Sequence, residues 1–175
     1  MDILQIIFFA VAIFLFVYFL LLQPHKIKGN SMLPNFLNGE FLLTDKVTYR
    51  FNDAKRGDVV VFKAPPDERD EFIKRIIGLP TERVALINGH IYINGKLLKE
   101  KYLDESLFTN AGGFLSEGEE VIVPKEEYFV LGDNRQNSSD SRSWGSIKKD
   151  KITGRAWLIY WPISKTGMVP SFNYQ

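Results

Sequence analysis

Arg83-Val84-Ala85-Leu86-Ile87-Asn88-Gly89-His90-Ile91-Tyr92-Ile93-Asn94-Gly95 decides the fold class of this chain. Two apolar, β-branched runs flank Asn88-Gly89, and a second Asn-Gly pair closes the stretch. A two-residue hairpin turn of type I′ needs positive φ at both central residues, and Asn-Gly tolerates that best. The stretch therefore predicts strands over Arg83–Ile87 and Ile91–Ile93 with tight turns at 88–89 and 94–95. The two pairs bracket one short strand and belong to no longer repeat.

The pattern extends outward. Short runs rich in Val, Ile and aromatic residues recur at Phe41–Leu43, Asp58–Phe62, Glu71–Ile77, Val121–Val123, Tyr128–Leu131 and Arg155–Trp161. Turn residues separate them, which reads as antiparallel β structure. No stretch after residue 24 holds a long 3.6-residue period, so helices are minor there. Lys63–Asp70 and Asn110–Glu119 read as exposed loops. Trp157 and Trp161 share one strand face by alternation, which predicts core packing. The expected fold is mainly β: an antiparallel sheet or partly open barrel.

The N-terminus differs. Ile3 to Leu22 holds no charge and no proline. A helix of that length, at about 1.5 Å per residue, matches a hydrocarbon core roughly 30 Å thick. A cleaved signal peptide would want a basic start and a small-x-small site. Here the start is Met1-Asp2, and Gln23-Pro24-His25-Lys26-Ile27-Lys28 follows the apolar run. The reading is a retained transmembrane anchor with its flank over 1–24 and one β-rich domain over 25–175. Lys26 and Lys28 follow the anchor, and the positive-inside rule would keep the domain in the cytoplasm. Contact of those lysines with lipid headgroups is the competing explanation.

Composition narrows the chemistry. Twenty-two basic and 21 acidic residues leave a net charge of +1, with no nucleic-acid footprint. The absence of cysteine removes disulfides, thiolate metal sites and cysteine nucleophiles. His25 and His90 stand far apart with no ligand pattern around them, so neither a metal nor a cofactor is expected.

Ser31 lies in Gly29-Asn30-Ser31-Met32-Leu33-Pro34, nine residues past the apolar run. A serine hydroxyl attacks only when a base removes its proton. Neither histidine is placed for a triad, and no Gly-x-Ser-x-Gly elbow exists. A lysine serves if burial destabilises its ammonium; neutrality near pH 7.4 takes about 4 kcal/mol. Lys74, in Phe72-Ile73-Lys74-Arg75-Ile76-Ile77, shares a strand face with Phe72 and Ile76. Taken alone, such a lysine is more often one that snorkels to water.

Four blocks, in order, resemble bacterial type I signal peptidases, membrane-anchored Ser-Lys endopeptidases. They are Gly29–Pro34, Arg56-Gly57-Asp58-Val59-Val60-Val61-Phe62, Phe72–Pro80, and the run from Gly132-Asp133-Asn134-Arg135 to Ser143-Trp144-Gly145. The resemblance implies Ser31 as nucleophile and Lys74 as general base. It implies that Ser138 orients the Lys74 amine and that Asp140 and Arg142 pair to hold their loop. Ile27, Gly29, Met32 and Ile73 would line the substrate site, with small side chains preferred at the first and third residues before the cut. The implied partners are preprotein signal peptides and the lipid bilayer, with the domain on the extracytoplasmic side of the cell membrane. A related Ser-Lys protease of mitochondrial type and a non-catalytic tethered β module are the alternatives.

The chain also departs from that pattern. Asn35 replaces a usual Thr, Thr81-Glu82 a common Gly-Asp, and Gln136 a common Asp. Gly29 lacks the hydroxyl by which some members donate a second oxyanion hydrogen bond. The polar stretch Asp133–Arg142 lacks the spacing of a calcium loop.

Overall fold

The computed structural model describes residues 2–65, 67–172 and 174. In chain order it contains helix α1 (Ile3–Leu21), strands β1 (Leu22–Lys26) and β2 (Phe41–Asp45), and the single turn α2 (Thr48–Phe51). Strands β3 (Val59–Ala64), β4 (Asp67–Gly78), β5 (Arg83–Ile87), β6 (His90–Ile93), β7 (Lys96–Leu97), β8 (Glu120–Ile122) and β9 (Glu127–Leu131) follow. The turn α3 (Ser141–Trp144) and strands β10 (Ile147–Lys148), β11 (Ile152–Trp161) and β12 (Gly167–Met168) complete it.

The strands form two antiparallel sheets. The larger runs β1-β2-β11-β3-β4-β9-β10, with β12 beside β11; the smaller runs β7-β6-β5-β8. Among the described residues no strand pairing closes either sheet into a barrel. The two Asn-Gly turns form as expected, with φ of 50° and 72° at Asn88 and Gly89 and 51° and 76° at Asn94 and Gly95.

Strand alternation distributes the core. Val59 and Val61 of β3 pack with Ile27, Met32, Phe36 and Leu42, while Val60 and Phe62 pack with Ile76, Tyr128 and Val130. Ile77, Phe129 and Leu131 of the larger sheet meet Val84, Leu86, Ile91 and Ile93 of the smaller one. Each such side chain contributes about 1.5–3 kcal/mol when fully buried. Gly78 sits at that junction: a Cβ there would stand 2.6 Å from Val84 Cγ2 and 2.9 Å from Phe129 Cβ. β4 is consequently covered on both faces at its C-terminal end, and Lys74, Arg75, Ile76 and Ile77 are all buried.

Three expectations change. Lys63–Asp70 is not a loop: β3 and β4 continue through it as an exposed hairpin, with Lys63 paired to Glu71 and Ala64 to Asp67; Pro66 lies outside the described residues. Trp157 and Trp161 are not core residues, being 39% and 51% exposed. Register shifts in β11 at 156–158 and 159–161 break the simple alternation that would have turned them inward. Strand β1 was not expected. Pro24 is tolerated there because β1 is an edge strand, where a missing N–H leaves no ladder bond unmade.

Helix α1 passes into β1 with no intervening loop, and the Leu22 N–H caps it by donating to the Tyr18 carbonyl. Its apolar side chains stand free, with Ile3, Leu4, Phe8, Phe14 and Phe16 each at least 67% exposed. Among the described residues no helix is long and apolar enough to cross a membrane. The anchor read from the sequence is therefore not a finding of the fold.

Candidate active site

Ser31 sits on the turn that leaves β1. Gly29 enters it at φ 88°, its N–H donating to Asn38 Oδ1 at 3.1 Å. Met32 then plunges into the core at 1% exposure, and the Phe36 N–H donates to its carbonyl at 3.0 Å. A second segment clamps the turn from outside: the Asn134 N–H donates to Ser31 O and Asn134 Nδ2 to Asn30 O, both at 3.0 Å. The nucleophile candidate is thus held by its own turn and by one segment about a hundred positions away.

Lys74 reaches this turn from β4. Its Nζ lies 2.8 Å from Ser31 Oγ and donates to the Ile73 carbonyl at 3.0 Å. The residue is only 3% exposed, and its Nζ lies 5.2 Å from the centroid of the Phe72 ring. Burial lowers its pKa to about 8 and Arg142 pushes the same way, against the opposing pull of Asp140 and Asp133. A lysine in that range is neutral often enough near neutral pH to accept a proton.

The loop after β9 forms the site's rear wall. Arg142 grips Asp140 through two bonds, Nε to Oδ1 at 2.8 Å and Nη2 to Oδ2 at 2.7 Å. Asp140 also accepts from the Gly132 N–H at 3.0 Å and caps the turn α3 through the Arg142 N–H. Arg142 Nη1 donates to the carbonyls of Asn110 and Arg135 at 2.7 and 2.6 Å. Ser138 is adjacent: a Cβ on Gly132 would fall 2.1 Å from its Oγ and 2.5 Å from Ser31 O. The expected hydrogen bond from Ser138 to the Lys74 amine is not made; Ser138 Oγ is buried and has no partner among the described residues. The Ile73 carbonyl takes that place on Lys74.

Several contributors escaped sequence reading. Arg75, next to Lys74, forms a buried ion pair with Asp133 through Nε and Nη2 at 2.8 and 2.6 Å. Its guanidinium carbon lies 4.0 Å from the Tyr102 ring centroid and 5.4 Å from that of Phe172. Asn35 donates to Asp133 Oδ2 at 2.9 Å and so ties the Ser31 turn to the rear wall. Arg135, 2% exposed, is bonded to Glu100, Thr109 and the Gly132 carbonyl. Nothing local to these residues marks them: Asp133 lies 58 positions from Arg75, and Glu100 and Thr109 lie 35 and 26 from Arg135.

A groove of about 800 Å³ runs from this pair between β1 and β4. Ser31, Lys74, Gly29, Ile27 and Ile73 line it, and Met32 lies beneath in the same apolar cluster as Ile27 and Ile73. A Cβ on Gly29 would meet nothing within 4 Å, so the space above it is open. Among the described residues no group of three or more His, Asp or Glu is arranged to hold a metal.

A nucleophilic hydroxyl, a desolvated amine and an apolar groove between two strands form a site suited to acyl transfer on an extended peptide. The family model described as signal peptidase, peptidase S26, matches residues 1–161. The chain is 39% identical over 153 residues to a probable signal peptidase I-2 of Synechocystis sp., a match spanning 84% of this chain and 66% of the relative. It is 36% identical over 156 residues to signal peptidase IB of Staphylococcus aureus, spanning 83% and 81%. A solved structure of a signal peptidase I from Enterococcus faecalis matches with 30% identity and a TM-score of 0.48, over 59% of this chain and 97% of that one.

Proposed function

The chain belongs to the signal peptidase family, peptidase S26, and on that premise we propose that it is a serine endopeptidase that removes signal peptides from exported preproteins. The observation that carries the reading is the 2.8 Å approach of Lys74 Nζ to Ser31 Oγ at the end of an apolar groove. A tethered module that only binds exported chains has no need of that approach.

The substrate lies extended between β1 and β4, with alternate side chains directed at the groove floor. Ile27, Met32 and Ile73 leave room for small side chains at the first and third residues before the cut. Ser31 Oγ attacks the scissile carbonyl while Lys74 takes its proton. The Ser31 N–H donates to the developing oxyanion. The ammonium of Lys74 returns the proton to the leaving amine, and an ester remains on Ser31. Lys74 then activates a water that releases the signal peptide. Asp140 and Arg142 fix the loop behind the lysine, and Ser138 orients its amine as substrate enters.

The helix Ile3–Leu21 is read as a single-pass anchor in the cell membrane, with the domain outside. Its exposed apolar side chains support this. So does Lys26, whose Nζ lies 5.4 Å from the Phe41 ring centroid, a cation and aromatic suited to a headgroup layer. Substrate and enzyme then share one bilayer, which raises their effective concentration. Incubation of the detergent-solubilised protein with a preprotein tests the activity. Wild type cleaves, whereas Ser31→Ala and Lys74→Ala do not while remaining folded; full activity in Lys74→Ala overturns the dyad. Protease protection in sealed vesicles tests the topology.

A further inference from the structure

The upstream end of the groove is polar. Strands β1 and β4 are not hydrogen-bonded to each other, yet their side chains meet: His25 Nε2 lies 2.8 Å from Glu71 Oε2. The imidazole is fixed from behind by Thr44 Oγ1, 2.9 Å from Nδ1, and Thr153 Oγ1 donates to Glu71 Oε1 at 2.5 Å. His25 and Glu71 both line the groove, with 16% and 28% of their side chains exposed to it and to solvent.

The position of this tie along the groove follows from the topology. Four antiparallel pairings separate β1 from β4, so the two strands run in the same direction. His25 lies two residues before Ile27, and Glu71 two residues before Ile73. Two residues of strand are about 6.6 Å and return to the same face. The His25–Glu71 tie is therefore the next level of the groove floor beyond the apolar one, on the side away from Ser31. That side is also where β1 joins helix α1.

We propose that His25 and Glu71 form a polar upstream subsite that selects a hydrogen-bonding side chain, a carboxamide or hydroxyl, at the fifth residue before the cut. The inference rests on the signal-peptidase reading of the site. A substrate strand whose first residue lies beside Ser31 and Met32 and whose third lies over Ile27 and Ile73 directs its fifth at this tie. An apolar side chain there strips water from the part-exposed carboxylate and imidazole and returns no hydrogen bond, which is unfavourable. A carboxamide replaces the lost water. The pair thus marks where the substrate's apolar segment must have ended.

The test uses two preproteins that differ only in Asn or Leu at the fifth residue before the cut, with Ala at the first and third. Wild type in detergent is expected to favour Asn by about tenfold in kcat/KM, the scale of an uncompensated desolvation. In a His25→Leu, Glu71→Leu double variant the preference falls to about one or reverses. His25→Phe alone, which removes the tie and keeps the charge of Glu71, is expected to reduce it in the same direction. Circular dichroism melts show that each variant is folded, and a ratio of two substrates on one enzyme is insensitive to the active fraction. Equal rates on both substrates by wild type, or an unchanged ratio in the variants, overturns the subsite. Cleavage of neither by wild type overturns the functional reading and the subsite with it.

Discussion

Lys74 Nζ and Ser31 Oγ lie 2.8 Å apart although 43 residues of chain separate them, and the lysine is 3% exposed. One number thus joins a turn beside the N-terminal helix to the middle of the longest strand. The pair works only with the lysine neutral. Burial sets its pKa at about 8, so kcat/KM for a preprotein should rise with pH through that value and level above it. Below the inflection the rate should fall about tenfold per pH unit. A profile flat from pH 6 to 9 would remove Lys74 as the base.

The same burial has a consequence for stability. Unfolded, the lysine titrates near the ordinary lysine value of 10.5; folded, at about 8. The native state therefore holds fewer protons between those values, and stability rises with pH across that window. Below pH 8 the full penalty is present, about 3 kcal/mol at its largest. Lys74→Met, similar in length and uncharged, should be inactive yet more stable than wild type at pH 7, with the gap closing toward pH 10.5. Urea titrations at pH 7 and pH 10 measure it. A Met variant less stable at pH 7 would contradict the burial argument.

The parts legible in the sequence were those set by local rules. Asn88-Gly89 and Asn94-Gly95 dictate their turns through backbone conformation alone, and α1 follows from an uninterrupted apolar run. Lys74 stood out because its strand neighbours are apolar. Arg75 did not, since strand alternation placed it on the opposite face, and what buries it there is Asp133, 58 positions away, with the rings of Tyr102 and Phe172. Arg135 and Glu100 were hidden for the same reason. Trp157 and Trp161 misled because a register shift in β11 depends on its partner strand and has no mark in its own residues. Ser138 lies beside the site, as its block suggested, but a hydroxyl's partner is decided by a rotation that the sequence does not record.

Thr81 occupies its turn at a structural cost. It holds φ 69°, a left-handed conformation that is strained for a β-branched side chain. Glu82 beside it is well used: it accepts two bonds from Arg56 and one from the Leu79 N–H. Thr81 N–H donates to the Val123 carbonyl at 2.9 Å, a bond that any residue but proline keeps. Thr81→Gly should therefore stabilise the fold by about 1 kcal/mol, the relief of strain exceeding the entropy glycine adds to the unfolded chain. A thermal melt raised by a few degrees would agree; a lowered one would mean that the Thr81 side chain makes a compensating contact.

Asp133 joins three parts of the chain behind the candidate site. It neutralises Arg75 through two hydrogen bonds and accepts a third from Asn35, with both charged side chains at most 2% exposed. Asp133→Ala leaves a guanidinium enclosed by Tyr102 and Phe172 with its charge unanswered, at a cost of about 3–5 kcal/mol. Asp133→Asn keeps one acceptor and should lose less. Replacing both partners at once, Arg75→Met with Asp133→Leu, should recover much of the single variant's loss, because no lone buried charge remains. Activity should not recover with it: the Asn134 N–H that holds Ser31 O follows directly on residue 133, and Lys74 directly precedes Arg75. Urea midpoints for the four proteins, beside preprotein cleavage rates, separate the two effects. Recovery of full cleavage together with stability would show that the ion pair serves the fold alone.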